Sequence, residues 1–133
     1  MPHTSEAEIV GYSSAAARGD VLPVCLRLAN MRTEAEWQGR LELVESVGPA
    51  CRPELLARAC DLMPNAAEPR LLRAARALAI ADVSASSSIK HACFESARKD
   101  LAEAARIDPM DATVRAMLSE LVGSQAWAAQ LAA

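Results

Sequence analysis

The chain has 133 residues, 52% hydrophobic but only 3% aromatic, with fourteen basic against seventeen acidic side chains and a net charge of −3. That length suits one domain spanning 1–133, and the acidic balance lacks the clustered basic excess of a nucleic-acid binder. The start, Met1-Pro-His-Thr-Ser-Glu6, has no secretion-signal pattern, and the longest purely apolar run, Ala77 to Ala81, is far below the roughly 20 residues of a membrane span. The expectation is a cytoplasmic protein with neither nucleic-acid nor membrane partners.

Ala and Leu supply most of the apolar mass. Alanine loses no side-chain entropy in a helix, and no stretch alternates with period two, so the class is all-α with about seven helices. The first runs from about Ser5 to Arg18, with Ser5 as cap and Gly19 as stop. Asp20 opens a second, Val21 to Met31, whose Leu22, Cys25, Leu26 and Ala29 share a stripe. Thr33 and Glu36 fit a capping box for the third, in which Trp37, Leu41 and Val44 form the core ridge, Glu42 and Glu45 face water, and Gly48-Pro49 ends the helix.

The fourth helix begins near Pro53, carries Leu55, Leu56, Ala59 and Leu62, and stops at Met63-Pro64. The fifth starts at Asn65, paired in capping-box fashion with Glu68, and buries Leu71, Leu72, Ala75, Leu78 and Ala79. A serine turn, Ser84 to Ser88, leads into the sixth, where Ile89, Cys93, Ala97, Leu101 and Ala104 recur every three or four positions and Glu95 is spaced to pair with Lys99. The seventh runs from about Asp111 to Val122, and Gly123 separates it from a short apolar ending, Gln125 to Ala133. The stretch from Asn65 to Pro109 thus reads as a central αα-hairpin.

Two helices end alike, with Leu56, Ala59 and Pro64, then Leu101, Ala104 and Pro109. With each proline at the last consensus position of a tetratricopeptide repeat, Leu56 and Leu101 fall on its bulky second-helix position. Ala59 and Ala104 then fall on its second alanine position and Ala97 on its first. The chain therefore resembles a tetratricopeptide-repeat-like (TPR-like) helical protein, most clearly over residues 55–121. It is also similar to actinobacterial helical-array proteins that share an opening like Ala15-Ala-Ala-Arg-Gly-Asp20 and a helix end like Leu101 to Pro109. The two prolines are 45 residues apart, against about 34 in the repeat. The resemblance implies antiparallel hairpins stacked as a short α-solenoid, serving as a non-catalytic protein–protein interaction scaffold, on its own or within a longer chain.

Arg70, Arg73 and Arg76 recur every third residue and are the candidate recognition surface, able to fork onto carboxylates of an acidic peptide. The competing reading is a polar face with local ion pairs to Glu68 or a neighbouring helix. Trp127 lies in an apolar, uncharged ending that invites a partner or a second copy, giving a candidate homodimer through the C-terminal end. No cofactor or metal is expected: His91 and Cys93, two residues apart on a helix, point in different directions and have no second ligand pair. The four cysteines contain no CxxC pair and read as small buried hydrophobes. Cys51, ahead of Arg52 and a helix start, is the one whose surroundings could lower its pKa. An oligomerisation domain, or a small enzyme with an interhelical pocket collecting Cys51, His91 and a carboxylate, are the rival readings.

Overall fold

The computed structural model describes residues 5–132, except for the side chains of Glu34 and of residues 125–132. Among the described residues it holds seven α-helices and no strand: α1 Glu6–Ala17, α2 Leu22–Ala29, α3 Trp37–Val47, α4 Pro53–Leu62, α5 Glu68–Val83, α6 Ser87–Ile107 and α7 Ala112–Ala132. Short 3-10 turns at Glu34–Glu36 and Gly48–Ala50 flank α3. No helix among the described residues is long and apolar enough to cross a membrane.

The helix ends follow their capping chemistry. Ser5 accepts from the Glu8 amide at 3.1 Å, and Ser86 accepts from the Ile89 amide at 3.3 Å. Gly19 takes a positive φ of 106° while the amides of Gly19 and Asp20 return to the carbonyls of Ala16 and Ala15. This is the left-handed closure that glycine adopts without steric penalty. At α7, the Asp111 carboxylate accepts from the amides of Thr113 and Val114.

Several local expectations give way to tertiary demands. The helix α7 continues through Gly123 rather than stopping there. A glycine in a helix interior costs only about 1 kcal/mol, too little to end a helix on its own. The helix α5 begins at Glu68 rather than Asn65, with no side-chain cap, because Glu68 is turned into the interior and bonds to arginines instead. Thr33 donates its hydroxyl to the Glu36 carboxylate at 3.2 Å instead of capping a backbone amide. Glu95 pairs with Arg98, not Lys99.

On α2 the buried residues are Val24, Cys25 and Leu28, leaving Leu22 and Leu26 exposed. On α3 the buried side chains are Arg40, Leu43, Val44 and Val47, with Trp37 and Leu41 only half-buried.

The hairpin of α5 and α6 is the most extensive helix pair, and α7 packs on α6. The helix α3 touches α1, α2, α5 and α7. Alanines make the close approaches, with Ala67, Ala74, Ala97 and Ala104 completely enclosed. Leu28, Leu43, Leu56, Leu71, Leu72 and Leu101 fill the space between them, each contributing about 1.5–3 kcal/mol through burial. Just past α3, Gly48 lies so near α5 that an added Cβ would stand 2.7 Å from the Leu72 carbonyl oxygen and 2.8 Å from the Ala75 Cβ. Glycine is required there by proximity, not by backbone angle.

Candidate functional site

The arginine row of α5 is spread over three neighbours. Three helical residues advance the chain by 300°, so each successive arginine steps back about 60° around the axis. Arg70 donates to the carbonyls of Ala66 at 2.8 Å and Met63 at 3.2 Å, tying α5 to the end of α4. Arg73 forms a two-pronged pair with Asp100 of α6 at 2.9 and 2.7 Å. Arg76 donates to the Cys51 carbonyl at 3.2 Å and fastens the turn after α3. The row therefore fastens the hairpin to its surroundings, and its guanidinium groups are engaged by the chain itself. Trp127 lies outside the described side chains.

The thiols are shielded. Cys25, Cys51 and Cys60 are buried and free. Burial pushes the Cys25 thiol up to about 12, helped by the nearby Glu68 charge. Burial likewise lifts Cys51 to about 11, although Arg76 pulls it the other way. The lowered pKa expected at Cys51 is thus reversed, because enclosure outweighs one partly exposed cation, and its sulfhydryl donates to the Val47 carbonyl at 3.4 Å. His91 is exposed on α6. Among the described residues, no group of three or more His, Cys, Asp or Glu side chains is placed to hold a metal ion.

The strongest electrostatic feature had no sequence signal beyond Glu68. Arg40, 1% exposed in the middle of the protein, donates to the Leu28 carbonyl at 2.9 Å, to both Asp111 oxygens at 2.6 Å and to Glu68 at 2.6 Å. Arg32 adds a second pair to Glu68 at 2.8 and 2.6 Å. Burial raises the Glu68 carboxyl, but the Arg32 hydrogen bonds and the charges of Arg32 and Arg40 outweigh it and hold Glu68 below its ordinary value. Two cations meet two anions, and Glu68 and Asp111 also stand at the starts of α5 and α7, where the helix dipole favours negative charge. This cluster is saturated. Among the described residues, no buried side-chain nitrogen or oxygen lacks a partner.

Further along the same three helices a cleft of about 250 Å³ opens against α6. Its floor is Ala75, Leu78 and Ala79 of α5, Phe94 of α6 and Met117 of α7. Its rim carries Glu45 of α3, Asp82 of α5, and Glu120 and Ser124 of α7. Glu45 is exposed, as expected, and also lines this opening. Partial burial raises its carboxyl, and the Glu120 charge raises it further.

Nearby bases are occupied elsewhere: Lys90 donates to the Ala81 carbonyl at 2.7 Å and Arg76 to Cys51. The last turn of α5 contains no base of its own, although a helix C-terminus favours positive charge. The sequence placed Leu78 and Ala79 in the core; they are half-exposed because they form this floor. Periodicity marks an apolar face without telling whether a neighbour covers it.

No family model matches the chain, and neither a curated protein nor a solved structure is similar to it.

Proposed function

We propose that the protein is a non-catalytic helical interaction module that holds a protein or peptide partner at the cleft between α3, α5, α6 and α7, rather than at the arginine row. The observation that carries this reading is the cleft itself, an apolar floor bordered by three carboxylates, Glu45, Asp82 and Glu120, that form no ion pair among the described residues. Thiol chemistry finds little support, since the thiolate is the reactive form and Cys25 and Cys51 are pushed up to about 12 and about 11. Free cysteines suit the reducing cytoplasmic location taken here.

The tetratricopeptide-like pairing of antiparallel helices fits the α5–α6 hairpin and its packing on α7. In an open array each unit touches only its neighbours, whereas Arg40 meets Asp111 across 71 positions and Thr113 reaches the Trp37 carbonyl across 76. We read the architecture as repeat-like hairpins drawn into a bundle by α3.

Affinity capture with the full chain from an extract of its source cells, followed by reconstitution with the purified partner, tests the function. A complex of defined stoichiometry in sedimentation is expected. Failure of every captured protein to reassemble, together with saturable turnover of a small molecule, would overturn it.

A further inference from the structure

The chemistry of the cleft restricts its occupant, and the restriction rests on the interaction reading above. We propose that it receives a basic segment of a protein partner, an Arg or Lys side chain beside an apolar one. The apolar group lies on Leu78, Ala79 and Phe94, and the cation sits among Glu45, Asp82 and Glu120. Three observations converge on this occupant.

The first is size. Pockets for drug-sized ligands run to about 300–1,000 Å³, so 250 Å³ suits one or two side chains and is small for a cofactor. The second is charge. Among the described residues, every buried carboxylate is answered by an arginine: Glu68 by Arg32 and Arg40, Asp111 by Arg40, and Asp100 by Arg73. The exposed rim carboxylates have no such answer among the described residues, and Glu45 and Glu120 repel each other across an apolar floor. A visiting cation removes that repulsion and gains from the C-terminal dipole of α5. The third is shape. The open floor is built from Leu78, Ala79 and Phe94, and aliphatic and aromatic surfaces accept the aliphatic stem of Arg or Lys as well as a neighbouring Leu.

The probe is an end-capped peptide alternating Arg and Leu, titrated into the isotope-labelled 133-residue chain at low salt while amide chemical shifts are followed. Saturable shifts centred on Ala75 to Asp82, Phe94 and Met117 to Glu120 are expected, fading at high salt. The double variant Glu45→Gln/Glu120→Gln removes two exposed charges without breaking any pair, so it folds. Its affinity should be weaker by about three- to tenfold, the scale of exposed ion pairs. A peptide with Glu in place of Arg should not bind.

Equal affinity for the double variant, or shifts scattered over the whole surface, would overturn the proposal. So would n-butylammonium reproducing the shifts as strongly as the peptide, which would make the cleft a small-amine site. A reconstituted natural partner that binds wild type and double variant equally would sink this inference while leaving the interaction module standing.

Discussion

Helices α3, α5 and α7 carry two groups of charges that the fold treats in opposite ways. Near their starts, Arg40, Glu68 and Asp111 are enclosed, hydrogen-bonded and joined by Arg32 into a neutral cluster. Further along, Glu45, Asp82 and Glu120 stand at the rim of an apolar cleft with the same sign and no counter-ion among the described residues. The first arrangement fixes which ends meet. The second forms no ion pair among the described residues and, on the proposed reading, is left for a partner. On that reading, charge answered by the chain holds structure, and charge left unanswered beside apolar surface serves recognition.

Breaking the saturated cluster has the largest expected effect. Arg40→Met strands the buried Asp111 carboxylate and leaves Glu68 to Arg32 alone, and should lower stability by about 3–5 kcal/mol, measured by urea unfolding, as for other buried ion pairs that lose one member. Gly48→Ala presses a methyl group against the α5 backbone and should cost about 1–3 kcal/mol, the scale of overpacking. Arg73→Ala leaves the buried Asp100 carboxylate without its two-pronged partner and should cost about 1–3 kcal/mol.

The two regions also differ in the sign of their pH response. Glu68 titrates below its ordinary 4.5 in the folded state, so its contribution is complete above that value and is lost as pH falls through the folded pKa. Glu45 is held above its ordinary value, so its unfavourable contribution is relieved as pH falls. Unfolding followed between neutral and acidic pH should show a steep acid loss that becomes shallower in a Glu68→Gln background. The smallest effect concerns the thiols. At mildly alkaline pH, a thiol reagent should modify the half-exposed Cys93 of the folded protein first and reach Cys25 and Cys51 only on unfolding.

Much of the helical layout was legible in the sequence because its signals are local. Ser5, Gly19 and the prolines at 53, 64 and 109 mark ends through backbone chemistry that needs no partner. Residue-level roles were less legible. Arg40 reads in sequence as one more surface arginine; only the meeting of α3 with the starts of α5 and α7 makes it the centre of the protein. The arginines of α5 look like one row because spacing in sequence does not reveal that three different neighbours surround that helix. Glu45 is solvent-facing, as its spacing suggests, but nothing local reveals that it stands beside half-buried Leu78 at a cleft lined by α3, α5, α6 and α7.

The contrast between the two charge groups is tested most directly by urea unfolding of Glu45→Gln/Glu120→Gln beside Arg40→Met at neutral pH. The account predicts that the cleft variant keeps or slightly raises the midpoint of the wild type, while the cluster variant falls far below it. A loss in the cleft variant comparable to that of Arg40→Met would mean that the rim carboxylates serve the fold, and would contradict the account.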